Sequence, residues 1–200
     1  MPPSHPLLQY RHLVITLMLP IALAACTNRP KASSNPATPV VTNPATIAST
    51  WYNYTSPTGK YTARFPGKPR EDTRTLDTKA GKTNLVLVTY EDKSAKRAYA
   101  LSHNKFIFPS GMSFDVQKGL DGSRDGLARG MGATITQETK ITAQGFPGRE
   151  ITLNKGETLL AKARIFYVNG TLYQMFVLVD GKQLDAPEVT AFLESVEFQK

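Results

Sequence analysis

The chain has 200 residues, of which 40% are hydrophobic and 20% charged, with a formal net charge of +8 and a single cysteine. One cysteine excludes a disulfide framework and the common thiolate zinc sites. The length accommodates one ordinary domain and some fifty residues besides.

The chain opens on a basic start, Arg11 beside His12, followed by an apolar run from Leu13 to Leu23. Spanning a bilayer takes about 20 apolar residues, so the run is too short, and Pro20 within it disfavours a continuous helix. Its length and small-residue exit predict a secretory signal peptide over residues 1–25. The run ends in Leu23-Ala24-Ala25-Cys26, which resembles the bacterial lipobox. That resemblance implies a diacylated Cys26 that becomes the mature N-terminus, held in the membrane by acyl chains contributing about 0.8 kcal/mol per buried CH₂. Thr27 stands where enterobacterial lipoproteins of the inner membrane usually carry Asp. By the same resemblance the address is the outer membrane of a bacterial envelope, or the lumen side of the thylakoid in a cyanobacterium. Residues 26–50 are rich in Pro, Ser, Thr, Asn and Ala, with no aromatic residue and no apolar period. They predict an extended tether.

Residues 51–200 remain for the folded domain. Loss of residues 1–25 removes one basic residue, Arg11, leaving 23 Lys and Arg against 16 Asp and Glu, a formal +7. Outside the cytoplasm such a balance points to anionic lipid or an acidic protein surface as partner, before nucleic acid. Strands are expected at 51–55 and 60–65 around Ser56-Pro57-Thr58-Gly59, then at 73–78 and 83–91 around Lys79-Ala80-Gly81-Lys82. The unbroken apolar run Leu85-Val86-Leu87-Val88 predicts a strand covered on both faces. Another strand is expected over 98–108. Asn169-Gly170 has the chemistry of a type I′ hairpin turn. Pairing outward from it puts Tyr167, Ile165, Ala163, Leu172, Gln174, Phe176 and Leu178 on one face. Arg164, Lys162, Phe166, Tyr173, Met175 and Val177 then form a mixed, partly covered face.

Two helices are expected as cover. One runs from Ser113 to about Met131 with Val116, Leu120, Leu127 and Met131 on one stripe, and with Gly119, Gly126 and Gly130 on its flank for close packing. The other follows a cap formed by Asp185 and Glu188 and buries Val189, Phe192, Leu193 and Val196. The order of the segments "LDGSRDGLARGMGA", "GFPGRE", "LLAKARIFYVNGTLYQMFVLV" and "FLESVEF" across residues 113–198 resembles the PsbP-like superfamily. The resemblance implies an α+β fold, a central antiparallel β-sheet flanked by helices as an α/β/α sandwich, and a non-catalytic binding or assembly role. Metal-binding histidines reported among PsbP relatives have no counterpart cluster, because His103 is the one histidine after residue 25.

Chemistry-bearing residues are sparse, and neither a cofactor nor a metal is expected. A Ser-His-Asp system would have to use His103, whose plain reading is a histidine on a strand surface. Asp121 and Asp125 lie one helical turn apart, and an Asp125–Arg129 pair at i, i+4 accounts for them without a cation. The glycines of residues 119–132 fall inside a helix pattern and not after a strand, which excludes a phosphate-cradling loop. Arg64, Lys68, Arg70 and Arg74 form a basic stretch that is the candidate partner-binding surface. Lys162, Arg164, Phe166, Tyr173 and Met175 are the candidate ligand face, with cation–π contacts available to the two cations. The expected function is a lipid-anchored binding or assembly protein. The alternatives are a small-ligand-binding lipoprotein using the mixed face and, last, an envelope enzyme.

Overall fold

At Asn169 and Gly170 the backbone takes φ of 48° and 84°, the left-handed pair that a two-residue type I′ turn requires. That turn joins β8 (Leu159–Val168) to β9 (Thr171–Asp180), with Val168 opposite Thr171 and Phe166 opposite Tyr173. The computed structural model describes residues 43–78, 81–105, 115–156, 159–180 and 183–199. The signal segment, Cys26 and the expected tether up to residue 42 lie outside the described residues, as do Lys79-Ala80 at one expected turn.

Strands add to this hairpin on both sides. β5 (Arg97–Lys105), β4 (Gly81–Asp92) and β3 (Arg70–Thr78) extend the sheet from β9. β7 (Phe146–Lys155) and β6 (Thr134–Ala143) extend it from β8. The result is a seven-stranded sheet in the order β3-β4-β5-β9-β8-β7-β6, antiparallel throughout. The β6–β7 hairpin was not expected. Its turn, Gln144-Gly145, repeats the left-handed pair at φ of 52° and 87°. β6 is an edge strand, mostly exposed and polar on both faces, so it lacks the alternation by which a strand is read.

The central strand β9 is buried from Leu172 to Val179, so each face of the sheet needs cover. One face is covered by helix α2 (Val116–Met131). Asp115 caps it by accepting from the Gln117 and Lys118 N–H groups, and Gly132 at φ 62° ends it. Residues 113–114 lie outside the described residues. Leu120, Leu127 and Met131 pack on Ile151, Leu153, Ala163, Ile165, Phe176 and Leu178. Gly126 and Gly130 are buried beside them, in keeping with the close approach expected of a glycine flank. Each fully buried leucine contributes about 1.5–3 kcal/mol.

The other face departs from the expectation of a mixed, partly covered surface flanked by a helix. It is buried under a second sheet, β1 (Tyr52–Thr55), β2 (Tyr61–Phe65) and β10 (Glu197–Phe198), together with helix α3 (Pro187–Glu194). Tyr61, Ala63 and Phe65 point inward with no exposure and meet Tyr99, Leu101, Tyr173, Met175, Val177 and Phe192. Phe65 and Tyr99 each contact the Phe192 ring, at centroid distances of 5.1 and 5.3 Å. The fold class is α+β, richer in sheet than two helical layers around one sheet would give.

Two further expectations are corrected. Asp185 does not cap α3: Pro187 occupies its first turn, and Ala186 at the cap position makes no side-chain hydrogen bond. The stretch read as tether up to residue 50 contains helix α1 (Pro44–Ser49), capped by Asn43 and packed against α3 with Ala48 buried. Pro44, read as an extended-chain residue, instead sits at the first helical turn, where its missing N–H costs nothing. The folded unit therefore extends back at least to Asn43.

Two outcomes are expected. Gly170→Val forces a β-branched residue to positive φ, and chemical denaturation should show a loss of about 1–3 kcal/mol. A chain beginning at Thr50 should melt a few degrees below one beginning at Asn43, because it loses the α1–α3 packing, worth on the order of 1–2 kcal/mol. Equal melting temperatures would mean that α1 adds nothing to the fold.

Candidate functional site

Three groupings of functional side chains follow from this architecture, and they differ in how far their charges are already satisfied. The first surrounds the link between β2 and β3. Trp51 follows α1 and meets the Tyr99 ring edge-on at 5.9 Å, and Tyr99 in turn meets Tyr90 at 6.3 Å. The link lies against Tyr90 so closely that a Cβ on Gly67 would stand 2.6 Å from the ring. Tyr52, 42% exposed, is the large hydrophobic side chain left open to solvent among the described residues. Tyr54 hydrogen-bonds the Glu71 carboxylate across the gap between the two sheets. Burial, and then that acceptor, push the Tyr54 hydroxyl up to about 12.

The four candidate basic residues do not share one face. Arg64 alternates with buried Ala63 and Phe65 and so lies on the solvent side of the small sheet. Lys68 is exposed in the link. Arg70 and Arg74 stand opposite Thr89 and Leu85, on the α2 side of the main sheet. Three of the four nevertheless flank the same link, at one end of the molecule, and Arg64, Lys68 and Arg70 make no ion pair with the described residues. Arg74 lies further along β3 and is paired to Asp72 at 3.0 Å. The structure thus brings together Arg64, Lys68 and Arg70, and sets Arg74 apart.

The candidate ligand face is filled by the protein itself. Phe166, Tyr173 and Met175 are buried, and Phe198 packs on Phe166 and Tyr173 at 5.6 and 4.9 Å. Lys162 and Arg164 turn to Glu150, at 3.5 and 2.6 Å, where cation–π contacts were expected. Arg164 also donates to the Leu193 carbonyl near the end of α3, where a cation meets the negative pole of the helix. Burial raises the Glu150 pKa, but the Arg164 hydrogen bond and the two cations outweigh it and hold the carboxyl below its usual range.

The second grouping, which the sequence reading missed, lies between α2 and the β6–β7 edge. Arg149 on β7, its side chain 4% exposed, donates to Gln117 at 2.8 Å and Asp121 at 3.1 Å, with its Nε 3.1 Å from Glu138. Arg124 grips both Glu138 oxygens at 3.1 and 2.9 Å and reaches Asp125 at 2.8 Å. Asp121, Arg124, Glu138, Lys140 and Arg149 line a shallow cleft of about 340 Å³. Asp125 therefore pairs with Arg124, its sequence neighbour, and not with Arg129 as expected. Arg124 and Arg149 are spent on the protein's own carboxylates, and the effect is to fasten α2 to the sheet edge. A signal for it existed in the alternating charges Glu138 and Lys140, once β6 is read as a strand.

The third is His103. It is buried, in place of the expected strand-surface position. Tyr61 meets it edge-on at 5.4 Å and Tyr173 stacks at 6.1 Å. Thr58 lies 3.4 Å from Nε2, and Nδ1 has no hydrogen-bond partner among the described residues. The 56–60 turn is held over the ring by the Tyr173 hydroxyl, which donates to the Gly59 carbonyl at 2.5 Å, and by Ser56, which accepts from the Gly59 N–H. Burial lowers the His103 pKa, against the opposing charge of Glu71, so the imidazole is neutral at pH 7. It serves as an aromatic packing group. Among the described residues no three His, Cys, Asp or Glu side chains are grouped to hold a metal ion.

No protein-family model and no curated protein matches the chain. Among solved structures it is similar to the solution structure of cyanobacterial PsbP (CyanoP) from Synechocystis sp. PCC 6803. That likeness has 9% identity over 81% of this chain and 97% of that one, with a TM-score of 0.49. A crystal structure from Bacteroides thetaiotaomicron VPI-5482 is similar at 14% identity over 74% of this chain and 48% of that one, with a TM-score of 0.34.

Two measurements test these assignments. Arg149→Met removes a buried cation from two partly exposed carboxylates and should cost about 1–3 kcal/mol in denaturant unfolding. A negligible change would mean that the network does not fasten the helix. His103 is the one histidine after residue 25. Its folded pKa lies below the unfolded value of about 6.5, so the unfolded state binds more protons and stability falls as pH drops through that window. The melting temperature should decline from pH 7.5 to 5.5, and His103→Phe should flatten the decline. A decline that persists in the variant would locate the titrating group elsewhere.

Proposed function

We propose that this chain is a lipid-anchored, non-catalytic binding or assembly protein of the PsbP-like kind, on the extracytoplasmic side of a bacterial membrane. The observation that carries the reading is Leu23-Ala24-Ala25-Cys26 at the end of a short apolar signal, followed by a proline-rich stretch that leads to a folded domain. The end of the domain at which the chain enters carries α1, Trp51 and the link at 66–69, with its unpaired cations and its exposed tyrosine. A basic surface of this sort suits an anionic or acidic partner. The non-catalytic part is supported by His103, which is neutral and packed between Tyr61 and Tyr173. It is supported also by the cleft on α2, whose arginines are engaged with its carboxylates. No helix among the described residues is long and apolar enough to cross a membrane. Thr27 after the cysteine favours the outer membrane, with the thylakoid lumen side as the corresponding address in a cyanobacterium.

The test is the mass and location of the full chain expressed in a bacterium. Protein extracted from membranes should lack residues 1–25 and carry the added mass of diacylglycerol on Cys26, and Cys26→Ser should leave the membrane fraction. An unmodified thiol on membrane-extracted protein would overturn the anchor.

A further inference from the structure

We infer that the end of the domain where the chain enters is a membrane-facing surface. It rests on anionic lipid headgroups through Arg64, Lys68 and Arg70, with Tyr52 and Trp51 at headgroup level. The inference rests on the lipid-anchor reading and adds an orientation to it.

Chain length supplies the first argument. Sixteen residues lie between Cys26 and Asn43, and a chain spanning that gap averages about 20–25 Å end to end when flexible and reaches about 50 Å at most. A domain of this size is itself about 35–40 Å across, taking its radius of gyration as roughly 15 Å. The entry end is therefore the part of the domain kept nearest to the bilayer. At that short tether length its effective concentration at the surface is millimolar, so a patch of modest affinity in free solution is largely occupied once tethered.

Composition supplies the second. Tyr52 is exposed, and Trp51 is half-buried with its inner edge on Tyr99. Tyrosine and tryptophan favour the boundary between acyl chains and water, where one part of the ring is apolar and another is wet. The cations beside them make no ion pair among the described residues, unlike Arg124 and Arg149 of the α2 cleft. The nearest carboxylates are engaged or peripheral: Glu71 accepts from Tyr54, Asp92 accepts from Ser94 and the Ala95 N–H, and Glu91 is exposed at the end of β4. A cation held near an anionic leaflet strengthens binding about fivefold, and three of them with two aromatic rings suffice to orient a tethered domain.

The experiment uses the mature chain, residues 26–200, made without lipid by Cys26→Ser, and vesicles of phosphatidylglycerol with phosphatidylcholine or of phosphatidylcholine alone. Trp51 is the sole tryptophan, so its emission reports on this end directly. Anionic vesicles should sediment the protein and shift its emission to the blue, and rising salt should reverse both. Lys68→Glu with Arg70→Glu should lower vesicle affinity at least about twenty-fivefold. Lys118→Glu with Arg129→Glu, an equal change in net charge on α2, should lower it no more than about twofold. The proposal is overturned by absent binding to anionic vesicles, by equal binding to phosphatidylcholine, or by equal losses from the two variant pairs. An acylated Cys26 together with no vesicle preference would keep the anchor and remove this surface. Vesicle binding together with an unmodified Cys26 would do the reverse.

Discussion

The main sheet is apolar on both faces, and the rest of the structure answers that constraint. β9 is buried along eight consecutive residues, so neither of its faces is available to water. One helix is wide enough to cover the β7–β8–β9 side, where α2 lies. The other side needs aromatic bulk, and Tyr61, Phe65, Phe192 and Phe198 provide it from three elements that are distant in sequence. The small sheet and α3 thus form a second wall around one core. Because β1 belongs to that wall and α1 packs on α3, the chain enters the fold at a defined place.

Charge is handled in two ways. On the α2 side, and near Glu150, arginines are buried or half-buried and each meets carboxylates within about hydrogen-bond length. Such pairs carry a desolvation cost, and their use lies in setting how a helix sits on a sheet more than in net stability. Around the β2–β3 link Lys68 and Arg70 are exposed and Arg64 is half-buried, and none of the three makes an ion pair among the described residues.

The central strands were legible because their signals are local. Asn169-Gly170 set the register of β8 on β9, and the parity counted outward from it assigned each side chain to the face it occupies. Leu85 to Val88 announced a strand with two covered faces, and Val86, Leu87 and Val88 divide between the two cores as that implies. What could not be read was which element covers which face. Phe166, Tyr173 and Met175 alternate with Lys162 and Arg164, and in one dimension that looks like an open, mixed surface. The cover comes from Tyr61 and Phe198, more than a hundred positions away from each other. β6 failed for the opposite reason: an edge strand with solvent on most of its surface has no apolar alternation to detect. The basic stretch was found as a cluster in sequence, but its alternation along β2 and β3 spreads it over different faces, and only the turn between those strands reunites part of it.

The small sheet has a consequence for the order of events when the protein is made. Its last strand, β10, pairs with β2, and Ser195 hydrogen-bonds the Arg64 backbone N–H across 131 positions of chain. A polypeptide made amino end first presents β1 and β2 long before their partner exists. Until then Tyr61, Phe65 and one face of β9 have no wall to close against. Closure over so long a loop carries an entropic cost and is slow compared with hairpin formation. The α2 side, built from neighbouring hairpins and one helix, has no such wait. Folding should therefore end at the seam between β2 and β10, and the period before that seam closes is when the nascent chain most needs a chaperone.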